Sequence, residues 1–292
     1  MNFIPSNELN KKKWDNLVSQ QNGKPFSHSF YFDANSKFWG AYVDENYTKG
    51  IAVSFNLILG IKIIYPPIFG KYFEFLGLNK FETEELFKQI KKDFLVGVFN
   101  SLEKFKDENS THRRFQVLEQ DYKFNTLANR MLKKAEANEY KITDTSFCKI
   151  LAIIKNDLLP KIENLEKNTA NNLEKLLTNL DSENLLISKG IYSQNQLLGG
   201  LLFCKSNHEI LYITGVCKEY PRKNGAMYLC MNEVIQQLKV NEVLNFGGSE
   251  IESIRRFYLN LGGVDAFYYE TSWDNSPFWF KLIRFLSKKI RK

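Results

Sequence analysis

Between Leu185 and Val216 the apolar residues fall into short runs separated by polar turns. The runs are Leu185–Tyr192, Leu197–Cys204 and Ile210–Val216, broken by Ser193-Gln194-Asn195-Gln196 and Ser206-Asn207-His208. Runs of this length bounded by Ser, Asn and Gln predict β-strands joined by tight turns. The period then changes. After Arg222-Lys223-Asn224-Gly225-Ala226, apolar residues recur at helical spacing to about Val240. Val243–Phe246 predicts a short buried strand, broken by Gly247-Gly248-Ser249. Ile254–Leu261 predicts a second helix, closed by Gly262-Gly263.

The N-terminal half alternates in the same way. Asn7–Gln20 predicts a helix with Ser6 as its cap and Trp14, Leu17 and Val18 on one face. Pro25–Lys37 predicts a second short helix. Phe38–Val43, Gly50–Leu57 and Ile61–Tyr65 predict a meander that ends where Pro66-Pro67 must leave the sheet, since proline donates no ladder bond. Thr83–Lys92 predicts a helix capped by Thr83, with Glu84 and Glu85 in its first turn. Leu95–Asn100 and Phe115–Leu118 read as strands. Asn125–Asn138, Ser146–Leu159 and Thr169–Leu180 read as helices, and Tyr140–Thr143 as a short strand. The polar connection Lys106–Arg114 suits a boundary. The expected units are therefore 1–114, 115–277 and a basic amphipathic helix, 278–292.

Composition changes this picture little. The 292 residues are 43% hydrophobic, enough for sizeable cores. A net charge of +7 favours anionic partners: an anionic small-molecule substrate, tRNA or a membrane surface. Cys148, Cys204, Cys217 and Cys230 form no C-x-x-C pair, and His28, His112 and His208 have no ligand spacing, so no metal is expected. The thiols suit a reducing compartment. With no leader-like N-terminus and no long apolar run, the expected location is cytoplasmic. Phe278–Lys292 carries six cations and no acid, with Phe278, Leu282, Phe285 and Leu286 on one helical face. Packing of that face on its own domain is the preferred expectation. Peripheral membrane contact is the other.

The order hairpin, central strand, helix, strand, helix resembles the core of the GNAT acyltransferases. Leu198-Gly199-Gly200, the Arg222–Ala226 turn, Asn245-Phe246-Gly247-Gly248-Ser249 and Arg256-Phe257-Tyr258 before Gly262-Gly263 resemble the FemAB-like branch of that superfamily. The N-terminal half adds Trp14-Asp15 and Ile64-Tyr65-Pro66-Pro67, a looser match. The resemblance implies an α/β protein with tandem GNAT-like domains, built of mixed, largely antiparallel sheets with flanking helices. It also implies acyl transfer from acyl-CoA, acetyl-CoA first among them, to an amine such as an amino sugar of envelope or polysaccharide synthesis. One alternative is an aminoacyl-tRNA donor in cell-wall synthesis. The other is a degenerate, non-catalytic transferase fold serving as a binding protein.

By the same resemblance the Q/R-x-x-G-x-G/A turn would hold the CoA diphosphate at a helix N-terminus, through Arg222, Gly225 and Ala226. Met227 departs from that pattern. The sheet would splay beside Ile213 and Val216 to admit the cofactor. Gly247, Gly248 and Ser249 are the expected acceptor site, with Arg255 or Arg256 for an anionic group. Arg130 and Lys134, on a basic helix, are candidates for holding phosphate. Glu250 is a candidate general base and also a plain first-turn acid. Tyr258 is the candidate acid toward a leaving thiolate.

Overall fold

A computed structural model describes residues 1–106, 108–162, 165, 168–206, 208–248 and 251–290, with side chains given to residue 286. In chain order its elements begin with β1 (Asn2–Pro5), α1 (Lys11–Gln20), α2 (Ser29–Asn35), β2 (Phe38–Val43), β3 (Gly50–Ile58), β4 (Ile61–Ile64), α3 (Lys80–Asp93), β5 (Val96–Ser101) and β6 (Ser110–Leu118). There follow α4 (Thr126–Ala137), β7 (Lys141–Asp144), α5 (Phe147–Ile153), α6 (Thr169–Ser182), β8 (Leu186–Ser193), β9 (Gln196–Lys205) and β10 (Glu209–Cys217). The last are α7 (Glu219–Lys223), α8 (Ala226–Ile235), β11 (Val243–Asn245), α9 (Glu252–Asn260), β12 (Val264–Asp274) and α10 (Phe278–Ile290). The chain divides into two compact units, residues 1–23, 27–113 and 268–292 against 24–26 and 114–267.

In the first unit the strands run β1-β2-β3-β4-β5-β12. Every pairing is antiparallel except β4 with β5, where Ile63 meets Val96 and Ile64 meets Gly97. A parallel pair needs a crossover, and α3 supplies it. Trp14, Leu17 and Val18 of α1 and Leu86, Phe87 and Ile90 of α3 are buried against the sheet, as their spacing predicts. Asn10, not Ser6, caps α1, its side chain accepting from Lys13 N at 3.1 Å. Asn79, not Thr83, caps α3, in a reciprocal capping box with Glu82. The unpredicted β1 pairs with β2.

In the second unit the strands run β6-β11-β10-β9-β8-β7. Here too one pairing is parallel, β10 with β11, and α8 makes the crossover. The core is Leu201 and Phe203 of β9, Ile210 of β10, Leu244 of β11 and the inner face of α8, Cys230, Met231, Val234 and Ile235. Both units thus repeat an antiparallel meander, a crossover helix and a parallel strand. The fold is α/β, in two units with mixed, largely antiparallel sheets. The second unit closes at Phe267, ten residues before the expected end at 277, because Tyr269–Asp274 of β12 pairs with β5.

Candidate active site

The central feature of the second unit is a strand that loses one neighbour. β10 stays paired with β9 as far as Cys217 opposite Gly199. Its pairing with β11 is confined to Glu209–Leu211 against Val243–Asn245. β11 is only three residues long, and past it Gly247 and Gly248 take φ of +74° and +73°. Two successive left-handed residues turn the chain away, and glycine adopts that conformation at little cost. A bulge at Ile213, where the β9 register shifts between Tyr212 and Thr214, twists the strand further. Beside Tyr212, Gly215, Val216 and Cys217 lies a cleft of about 680 Å³.

Its walls come from four places. Met227 and Tyr228, in the first turn of α8, line one side. The backbone N–H groups of that turn have no partner within the helix, so the positive end of the helix dipole lies there. Lys218 and Arg222 add positive charge from the segment before α8. Ser253, Ile254, Phe257 and Tyr258 of α9 form the opposite wall. Asp157 and Leu158 close the third side from a π-helical turn, Ile154–Leu158, and Lys161 follows it. That wide turn interrupts the helix expected over Ser146–Leu159, and such turns are frequent at functional sites. Of the acids here, Glu219 is paired with Lys223 at 2.7 Å, which holds its carboxyl below the usual range. Three cations and a helix N-terminus make this end of the cleft suited to a diphosphate.

Aromatic rings fill the other end. Tyr258 is buried, stacks on Phe246 with centroids 4.7 Å apart, and meets Tyr212 edge-on at 6.3 Å. Burial pushes both hydroxyls above the ordinary tyrosine range, so both are protonated at neutral pH. Tyr228 packs edge-on against Phe257, and its hydroxyl accepts from Asn260 Nδ2 at 3.0 Å. Burial pushes the Cys217 thiol up to about 12, so it is not a thiolate nucleophile at neutral pH.

The expected site residues distribute unevenly over this geometry. Val216, Arg222 and Tyr258 line the cleft together. Ile213 is the bulge residue of the same strand edge. Gly225 caps α8 with φ +86°, and a Cβ on it would overlap Met131 O and lie 3.3 Å from Ala135 Cβ of α4. Its missing side chain therefore serves helix packing. Ala226 is fully buried in the core. A Cβ on Gly248 would lie 2.6 Å from Phe115 Cα, so the turn rests closely on β6.

Gly247 N donates to Asn245 Oδ1 at 2.9 Å, and Asn245 Nδ2 in turn donates to buried Glu209, which Lys24 pairs at 2.7 Å. That network fixes the turn from below. Arg255 is bound to Asp265 through two nitrogens, and the exposed Arg256 meets Glu252 through Nε. Arg130 and Lys134 are exposed on α4, and Lys134 Nζ donates to Lys223 O. Ser249 and Glu250 lie outside the described residues. The sequence reading missed Tyr212, Tyr228, Lys161 and Asp157. Tyr212 had one available signal, its place on the strand expected to splay.

The Arg255–Asp265 pair carries a pH expectation. Hydrogen bonding to Arg255 holds the Asp265 carboxyl below its usual value. A depressed carboxylate contributes stability above its unfolded pKa and loses it as pH falls through the folded value. Asp265→Asn should therefore destabilise by about 1 kcal/mol at neutral pH and by nothing at strongly acid pH. Urea denaturation at both pH values checks this.

No protein-family model matches the sequence, and no curated protein matches it. Solved structures do. FemX superposes with a TM-score of 0.63 at 10% identity, over 92% of this chain and 97% of its own. The C-terminal domain of a protein named as a lysylphosphatidylglycerol synthetase, from Agrobacterium fabrum, gives 0.60 at 9% identity, over 91% and 92%. An acetyltransferase of the GNAT family from Colwellia psychrerythraea gives 0.54 at 10% identity, over 94% and 100%. At such identities the likeness concerns fold, and it spans both units. This chain therefore shares its fold, over both units, with FemX and with that GNAT-family acetyltransferase.

Proposed function

We propose that the protein transfers an acyl group from acyl-CoA, acetyl-CoA first among them, to an amine. The observation that carries this reading is the open edge of β10 beside the N-terminus of α8. An unpaired strand edge offers backbone N–H and C=O groups to an extended pantetheine-like chain. The helix N-terminus with Arg222, Lys218 and Lys161 suits the diphosphate. The amine would attack the thioester carbonyl, forming the C–N bond. The carbonyl oxygen takes up negative charge, which a strand N–H of β10 can stabilise. On collapse the C–S bond breaks, and the Tyr258 hydroxyl would give its proton to the leaving thiolate. The amine's own proton would leave to Glu250 or to water. The acceptor we favour is an amino sugar of envelope or polysaccharide synthesis.

A second donor, an aminoacyl-tRNA, is favoured by the net charge of +7. Calorimetric titration separates the donors. Acetyl-CoA should bind, and Arg222→Ala should weaken it about tenfold, the worth of one charge-assisted hydrogen bond. Binding of tRNA with no CoA binding would move the donor assignment. Binding of neither would leave a non-catalytic fold.

A further inference from the structure

The C-terminal helix is attached to its unit by the wrong face for a packed amphipathic helix. Phe280 is fully buried against Ile61 and Val96, and Arg284 is tied to Asp274 at 2.7 Å. These residues lie one turn apart on one side of α10. Phe278, Trp279, Leu282, Ile283, Phe285 and Leu286 spread over the other side and are all exposed, Phe278 by 80% and Phe285 by 56%. The preferred expectation, that the apolar face packs on the domain, is thereby reversed: that face points outward. The segment is also cationic. Lys281 is on the described part, Lys288, Lys289, Arg291 and Lys292 follow in sequence, and no acid occurs from Phe278 onward.

A second element presents the same chemistry beside it. The β3–β4 hairpin ends in Leu57, Ile58 and Leu59, all exposed, and Ile58 pairs across the turn with Ile61, the residue under Phe280. Leu59 is 62% exposed at the apex with φ +49°, and Gly60 follows at +81°. Such a turn favours Asn or Asp at the first position, because a bulky side chain is strained in the left-handed region. The fold here tolerates strain to keep a leucine in the open, where folding gains nothing from it.

We propose that α10 and the β3–β4 tip together dock this chain on an anionic lipid bilayer. An exposed apolar patch of this size marks an interaction surface. The six cations of the segment, with no acid among them, complement acidic headgroups, and no described helix is long and apolar enough to cross the membrane. The helix would lie in the interface plane with its apolar face among the acyl chains. The docking does not depend on the transfer reaction.

The test is co-sedimentation of the full chain with phosphatidylcholine vesicles, with and without phosphatidylglycerol, at low and high salt. Binding is expected only with phosphatidylglycerol, falling about tenfold on raising the salt. Leu282→Ser/Leu286→Ser should weaken it at least about tenfold, since each leucine carries a large apolar transfer energy. Leu59→Asn should weaken it too, while its left-handed backbone suits asparagine and preserves the fold. Equal binding to both vesicles, no binding to either, or undiminished binding by both variants would overturn the proposal. So would a solution dimer, seen by sedimentation velocity, that Leu282→Ser/Leu286→Ser disperses.

Discussion

Gly225→Val should unfold or severely destabilise the second unit. Gly225 has φ +86°, where a β-branched residue is strained. Its Cβ would overlap Met131 O of α4, a backbone atom that packed helices hold in place. Strain and overpacking together cost about 3–5 kcal/mol, against a typical domain stability of about 5–15 kcal/mol. Urea denaturation followed by circular dichroism should show a midpoint shifted down by that amount, or no cooperative transition. A stability within about 1 kcal/mol of wild type would contradict the packing described for α4 and α8. The proposed CoA binding would then be lost with the fold, so Arg222 is the cleaner probe of the proposed diphosphate site.

Tyr258→Phe should have the largest effect on turnover. Removing a positioned general acid typically costs about 10²-fold in rate. The ring stacks on Phe246 and packs with Tyr212, contacts that phenylalanine preserves, so folding should hold. Affinity for acetyl-CoA should be unchanged, because in the proposed reaction the hydroxyl acts on a leaving group present only once the C–S bond breaks. Burial raises the Tyr258 pKa, so its acid form persists as pH rises past the ordinary tyrosine value. No alkaline loss of kcat from this residue is expected below about pH 10. A rate unchanged in Tyr258→Phe but reduced in Tyr212→Phe would assign the acid to Tyr212. The Tyr212 hydroxyl lies 2.6 Å from where a Cβ on Gly215 would stand.

The strands and crossover helix of the second unit were legible because each has its own period and its own turn residues. Leu185–Tyr192, Leu197–Cys204 and Ile210–Val216 correspond closely to β8, β9 and β10. What sequence did not reveal depends on partners distant in the chain. β1 has no alternation of its own and becomes a strand by pairing with β2. The caps at Asn10 and Asn79 competed with equally plausible Ser6 and Thr83, and only geometry separates them. Gly225 and Gly248 carried the conformational signal correctly, since both have positive φ. What each glycine touches could not be read locally, and both proved to meet backbone, of α4 and β6 respectively. The cleft residues Asp157 and Lys161 come from a π-helical turn and its continuation, far in sequence from β10. The expected splay beside Ile213 and Val216 rested on the resemblance to the GNAT acyltransferases, and in the structure Val216, Arg222 and Tyr258 line one cleft.

Backbone amide exchange with and without acetyl-CoA tests the central claim, that the splayed edge of β10 is the donor site. Saturating acetyl-CoA should slow exchange in residues 213–217 and in the first turn of α8, with little change in the first unit. Undiminished exchange in both segments at a concentration that saturates binding would place the donor elsewhere and contradict the account.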